Sequence, residues 1–146
     1  MSKVDSNEII QVGIVVRDIE KAARNYAGLF GLEMPNIRVA APNVTYRGKP
    51  ITPGARLCSF KMGAVSLELV QPDGQPSTWQ EFLDKKGEGV HHIGIVVKDK
   101  EEAVKLFEDR GMPLRQLGIL ASGSYSMMDS EEELGVVYNV KYNNPK

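Results

Sequence analysis

Two apolar runs of the same shape stand near the start and past the middle of the chain: Ile9-Ile10-Gln11-Val12-Gly13-Ile14-Val15-Val16 and Val90-His91-His92-Ile93-Gly94-Ile95-Val96-Val97. Both are rich in β-branched residues, as buried strands are. Each is followed by an acid, Asp18 or Asp99, that can accept from the first free amides of a helix. Behind Asp18, the residues Ile19, Ala22, Ala23, Tyr26 and Phe30 recur at three and four, predicting a helix with one apolar stripe that Gly31 stops. Behind Asp99, Glu102 stands at capping-box spacing, Ala103, Leu106 and Phe107 form the buried face, and Gly111 with Pro113 ends the helix.

The two stretches are copies. A shift of 81 positions lays residues 11–26 on 92–107 without a gap, and seven of the 16 pairs are identical, including Gly13/Gly94, Ile14/Ile95, Val15/Val96, Val16/Val97 and Asp18/Asp99. A unit of about half the chain means two modules, not a solenoid. After each helix come strands. In the first half they are Ile37 to Tyr46, then, past a loop marked by Arg47-Gly48-Lys49-Pro50 and Pro53-Gly54, Leu57 to Met62 and Val65 to Gln71 as a hairpin around Gly63. In the second half Leu114 to Leu120, Ser124 to Met128 and Val136 to Tyr142 repeat the order. Between the halves, Pro72-Asp73-Gly74-Gln75-Pro76 is a linker. A short helix follows, with Ser77 and Gln80 as its capping box, Trp79, Phe82 and Leu83 as its packing face and Gly87 as its end. The fold class is therefore α+β: one domain over 1–146 built from two tandem β-α-β-β-β modules. Module one covers 8–71, the linker and short helix 72–88, and module two 89–142.

Strand alternation then sorts the side chains. Ile10, Val12, Ile14 and Val16 face the helix, while Gln11, Gly13 and Val15 share the other face, as His92, Gly94 and Val96 do in the second copy. A polar residue followed by a glycine on one face leaves room for a cavity. The last strand of each module matches it: Glu68 faces away from Leu67 and Leu69, and Asn139 takes the equivalent place in Val136-Val137-Tyr138-Asn139-Val140. A carboxylate between leucines needs a partner to be buried. If the sheets meet around a pseudo-twofold axis, Gln11, Glu68, His92 and Asn139 converge in one shared cleft. By the same alternation His91 points to the opposite face, as a structural residue, and Cys58 with Phe60 and Met62 is buried and inert. Arg56 or Lys61 is an alternative partner for Glu68. Arg47, Lys49 and Arg56, on a Gly/Pro loop, are candidates for an anionic substrate tail or simply solvated.

Composition narrows the class without naming the chemistry. The 146 residues are 42% hydrophobic, carry 18 basic against 19 acidic side chains for a net charge of −1, and include one cysteine. There is no basic run for nucleic acid or a membrane surface, no span-length apolar stretch and no signal-peptide pattern. A single cysteine forms no internal disulfide and fits a reducing compartment, so the expectation is a cytoplasmic protein acting on a small molecule.

Paired β-α-β-β-β modules with one polar group on the first strand and another on the last resemble the vicinal oxygen chelate superfamily, which includes glyoxalase I, methylmalonyl-CoA epimerase, extradiol dioxygenases and bleomycin-resistance proteins. The passage Glu81 to Ile93, with Gly87-Glu88-Gly89-Val90-His91-His92, is most similar to the epimerase and its relatives. The resemblance implies the glyoxalase/bleomycin-resistance/dioxygenase fold, a homodimer, and a divalent ion (Zn, Ni, Co or Mn) held by Gln11, Glu68, His92 and Asn139. Glutamine is a ligand in the first place in some glyoxalase I enzymes. Asn139 departs from the pattern, since those two enzymes have glutamate there, serving also as a base. A carboxamide coordinates through oxygen but takes up no proton at useful pH. The epimerase's second acid has no counterpart between Ile37 and Tyr46, so the catalytic base is unassigned and no organic cofactor is expected.

Three functions are compatible with these residues, in order. The first is a metal-dependent lyase or isomerase acting beside a carbonyl, of the glyoxalase I or methylmalonyl-CoA epimerase type. The second is a non-catalytic binder of a drug or metabolite, of the bleomycin-resistance type. The third, a ring-cleaving oxygenase, requires two histidines and a carboxylate on iron, and Gln11 stands where one histidine belongs.

Overall fold

The computed structural model describes residues 2–146. In chain order its elements are β1 (Ile9–Val15), α1 (Ile19–Phe30), β2 (Arg38–Val39), β3 (Val44–Tyr46), β4 (Lys49–Ile51), β5 (Arg56–Met62), β6 (Val65–Gln71), α2 (Thr78–Lys86), β7 (Gly89–Val97), α3 (Lys100–Asp109), β8 (Leu114–Leu120), β9 (Gly123–Met128), α4 (Glu131–Leu134) and β10 (Val137–Asn143). The capping acids work as their positions predict: Asp18 accepts from the Lys21 amide at 3.1 Å and Asp99 from the Glu102 amide at 3.0 Å. Ser77 caps α2 by accepting from the Gln80 amide at 3.0 Å. The Gln80 side chain, however, accepts from the Gly74 amide at 2.7 Å, tying the linker to the helix.

All ten strands join one mixed sheet in the order β2-β5-β6-β1-β7-β10-β9-β8-β3-β4. The two copied strands, β1 and β7, lie antiparallel at its centre, and each pairs in parallel with the last strand of its own half, β6 or β10. Outward from the centre the order is β1-β6-β5-β2 on one side and β7-β10-β9-β8 on the other, the mirrored arrangement that a pseudo-twofold axis between β1 and β7 produces.

One expected strand is divided. Residues 37–46 form β2 and β3, separated at Ala40-Ala41-Pro42-Asn43, and the two pieces pair at opposite sides of the sheet, β2 with β5 and β3 with β8. The expected loop after them is a hairpin. Arg47 and Gly48 both have positive φ, 49° and 80°, which suits a two-residue turn between antiparallel strands. Pro50 sits in β4, an edge strand, where a missing amide leaves no ladder bond unmade.

This crossing dictates the shape of the molecule. Eight strand spacings of about 4.8 Å would put β2 and β3 roughly 38 Å apart in a flat sheet. Five residue steps from Val39 to Val44 span at most about 18 Å. The sheet must curl, and it forms a half-barrel whose two sides are bridged by residues 40–43. The bridge is anchored by Ala40 donating to the Ala55 carbonyl at 2.8 Å and by the Ile119 amide donating to the Asn43 carbonyl at 2.9 Å.

The convex face is covered by α1 and α3. Ile19 and Ala23 of α1 pack with Val16, Cys58, Phe60 and Leu69, and Ala103 and Phe107 of α3 with Ile95, Val97 and Val140. The concave face holds Val15, Leu57, Val70, Met127 and Val137, closed over by Trp79 from α2. Among the described residues no helix is long and apolar enough to cross a membrane.

Candidate functional site

The central strand pairing explains why glycine follows the polar residue in each copy. Gly13 lies opposite His92 across the β1–β7 ladder and beside Glu68 on β6; Gly94 lies opposite Gln11 and beside Asn139 on β10. Two short rows thus run across the floor of the half-barrel, Glu68–Gly13–His92 and Gln11–Gly94–Asn139. The space each glycine leaves is filled by the polar side chain of the other copy. A Cβ on Gly13 would sit 2.0 Å from His92 Cε1, and one on Gly94 would sit 2.8 Å from Gln11 Cβ.

The four side chains singled out in the sequence meet here, each no more than 7% exposed. His92 Nε2 lies 2.9 Å from Gln11 Oε1, and Asn139 Nδ2 donates to the same oxygen at 3.3 Å. Gln11 Nε2 donates to Glu68 Oε2 at 3.5 Å, and His92 Nε2 is 3.5 Å from Glu68 Oε1. Asn139 Oδ1 is buried with no hydrogen-bond partner among the described residues. Burial raises the Glu68 carboxyl, against opposing pulls from Lys141 and Arg38, and pushes the His92 imidazole down to about 3, helped by Lys141. With the imidazole neutral, the His92–Glu68 contact is not an ion pair.

Ligand atoms around an ion with bonds of roughly 2.1 Å stand about 3.0–3.4 Å from their neighbours, and His92 Nε2 lies near that spacing from two others, 2.9 Å from Gln11 Oε1 and 3.5 Å from Glu68 Oε1. One imidazole, one carboxyl and two carboxamide oxygens, one of them without a partner, fit such an ion. The described residues bring together no group of three or more His, Cys, Asp or Glu side chains suited to a metal, so any such site depends on its amides.

His91 departs from expectation. In place of the alternate face, it is buried against His92, with Nδ1 to Nδ1 at 2.9 Å and the rings edge to face. The cause is a β-bulge: the ladder pairs Gly13 with His92 and then Ile14 with Val90, leaving His91 as the extra residue on β7. Its Nε2 lies 3.0 Å from Thr78 Oγ1, at the start of α2, and Phe82 packs edge-on against its ring. Burial, with His92 and Arg115 nearby, lowers the His91 pKa far below its ordinary value.

Two of the four clustered side chains, Glu68 and Asn139, line a cavity of about 160 Å³. Its walls include Leu57, Trp79 and Met127 together with the bridge residues Ala40 and Ala41, and its cations are Arg38 and Lys141. Among the described residues neither cation forms an ion pair, whereas two of the three loop cations considered from sequence are engaged elsewhere: Arg47 with Glu81 at 2.8 Å and Arg56 with Glu20. Arg56 is therefore not the partner of Glu68, and the charges that act on that carboxyl are Lys141 and Arg38. Lys141 was legible, being two residues beyond Asn139 on the same strand and so on the same face. Arg38 and Thr78 carried no such signal, because the crossing and the docking of α2 put them in place. Tyr125 also lines the cavity, accepting from Gln116 Nε2 at 3.1 Å, its hydroxyl pushed up to about 12 by burial.

With this sheet and cleft in view, the chain belongs to the Glyoxalase/Bleomycin resistance protein/Dioxygenase superfamily, whose family model matches residues 10–124. It is 28% identical over 111 residues to the uncharacterized protein YqjC of Bacillus subtilis, covering 74% of this chain and 70% of that protein. It is 33% identical over 94 residues to the mitochondrial methylmalonyl-CoA epimerase of Homo sapiens, covering 64% of this chain but about half of that protein, 48%. Among solved structures, the methylmalonyl-CoA epimerase from Mycobacterium tuberculosis superposes with a TM-score of 0.74 at 18% identity, over 99% of this chain and 93% of that one, a likeness of fold.

Proposed function

We propose that the protein is a metal-dependent lyase or isomerase acting beside a carbonyl, with Gln11, Glu68, His92 and Asn139 as the ligands. The observation that carries this reading is the convergence of those four buried side chains, with Asn139 Oδ1 left partnerless among them. A divalent ion held there would supply Lewis acidity toward vicinal oxygens of a substrate and favour loss of the neighbouring C–H proton. The residues themselves do the rest. Arg38 and Lys141, the cations of the cavity wall, hold negative charge on the substrate. Leu57, Trp79 and Met127 exclude water from it. Asn139 orients by its carboxamide and moves no proton, which leaves Glu68 as the one carboxyl among the cavity-lining residues able to do so.

Two measurements test the reading together: divalent metal in the purified protein, and metal-dependent solvent exchange of an acidic C–H in a small α-oxygenated carbonyl compound. Both should be lost in Glu68→Gln. If that variant retains both, or if the wild-type protein takes up no ion at millimolar zinc, cobalt, nickel or manganese, the reading fails.

A second reading, a binder without chemistry, is favoured by the way Gln11 hydrogen-bonds with Glu68, His92 and Asn139, so that the polar groups serve one another. Tight retention of a small ligand after exhaustive chelation, with no exchange, would select it.

A further inference from the structure

His91 has no role in the chemistry above, yet it is buried, polar and bonded to the one imidazole of the cleft. Thr78 Oγ1, His91 and His92 form an unbroken run at 3.0 and 2.9 Å that ends 2.9 Å from Gln11 Oε1. All three side chains are 1% exposed or less, so no bulk water interrupts it. The bulge at His91 creates the link, because regular alternation would send adjacent side chains to opposite faces.

A hydrogen bond between two Nδ1 atoms holds one proton. A neutral imidazole carries one N–H, on one nitrogen or the other. If His92 holds the shared proton, its Nε2 is bare and faces the cleft as a lone pair, and His91 must carry its own proton on Nε2, toward Thr78. If His91 holds it, His91 Nε2 is bare, accepts from the Thr78 hydroxyl, and His92 presents N–H to the cleft. The two rings are locked in opposite tautomers: Gln11 Oε1, an acceptor 2.9 Å from His92 Nε2, selects the second arrangement as the side chains stand, while Thr78, whose hydroxyl can donate or accept, sets how readily the pair switches to the first.

We propose that His91 and Thr78 are positioning residues that set the tautomer of His92, so that the cleft presents a lone pair to a cation only when His91 donates to Thr78. The metal part of this inference rests on the proposed ligand set; the coupling of the rings does not. Outer partners of a ligating histidine fix its tautomer and direction, and losing one costs roughly 10- to 100-fold in metal affinity.

The chain contains two histidines, both in this pair, so a long-range ¹H–¹⁵N spectrum shows four ring nitrogens and assigns both tautomers. In the chelator-treated protein one ring should be Nδ1–H and the other Nε2–H. Two rings of the same tautomer would overturn the proposal. On adding zinc sulfate, His92 should become Nδ1–H and His91 Nε2–H. His91→Phe should weaken zinc binding about 10- to 100-fold, and His91→Asn, whose carboxamide places a polar atom near the lost Nδ1, should restore most of it. Thr78→Val should shift the balance of His92 tautomers, and Thr78→Ser should not. Unchanged spectra in Thr78→Val, or unchanged zinc affinity in a folded His91→Phe, count against the coupling. If zinc fails to bind the wild-type protein, the ligand set falls, and the ring coupling is judged on the chelated spectra of the wild-type and Thr78→Val proteins.

Discussion

The two copies of the first strand have nearly the same backbone and opposite fortunes. On β7, His92 is backed by a buried partner, His91, which is backed in turn by Thr78. On β1, the hydrogen bonds of the Gln11 side chain to other described side chains stay within its own cluster, at Glu68, His92 and Asn139. Duplication supplied matching glycines and strand pairings, and so a cleft with four places. The bulge on β7 and the docking of α2 then made one of those places far better supported than its counterpart. Symmetry of fold has not produced symmetry of function, because a ligand's quality depends on what stands behind it.

The sharpest way to break the comparison is at the glycines. Gly13→Ala drives a Cβ into the His92 ring, which is wholly buried and held from behind, so a loss of about 3 kcal/mol is expected, with loss of metal uptake. Gly94→Ala overlaps less, 2.8 Å from Gln11 Cβ against 2.0 Å from the His92 ring, but that Cβ moves only with its strand, so about 2 kcal/mol is expected. Urea unfolding of the two variants measures the difference; equal losses would mean that the two places are equally rigid.

Next in size is Glu68→Gln, which keeps the shape and removes the carboxyl. Divalent metal affinity, read by calorimetry, should fall by more than the roughly 100-fold that loss of an outer partner can cost. Asn139→Asp is its complement. A near-isosteric carboxylate in the weak place should tighten metal binding about tenfold, or about 1.4 kcal/mol; weaker binding would mean that Asn139 serves as a neutral hydrogen-bonding group.

The pH dependence of stability separates the same groups. His92 titrates near 3 when folded against an ordinary 6.5, so the unfolded chain binds the extra proton first as pH falls. Its contribution is complete above about 6.5 and is lost as pH drops from there toward 3, with His91 adding in the same direction. Glu68 has the opposite sign: raised by burial, it favours the fold at low pH and loses that contribution as pH rises through its folded value. In metal-free protein, thermal melts should show Glu68→Gln flattening the alkaline side and leaving the acid limb intact. A lost acid limb would assign it to the carboxyl. The smallest effect is expected at Cys58, which is fully buried beneath α1 with its thiol pushed up by burial, and should react with a thiol reagent only on unfolding.

Much of this molecule can be read from its residues. The copy at an offset of 81, the capping acids and the strand alternation place Gln11, Glu68, His92 and Asn139 on one face, because those signals are local and periodic. The paired glycines are visible in the sequence too, although not that each makes room for the other copy's side chain. Three things needed the folded chain. Pro42 and its neighbours divide an expected strand and carry it across the half-barrel, a path that depends on which edge is open to accept it. The bulge that turns His91 toward His92 is a mismatch between two strands, and neither strand encodes it alone. Arg38 reaches the cleft, and Thr78 reaches His91, only because the sheet curls and α2 closes over it. Sequence determined which groups each strand presents; tertiary structure decided which of them meet, since contacts across a curled sheet depend on register and closure, which no single segment contains.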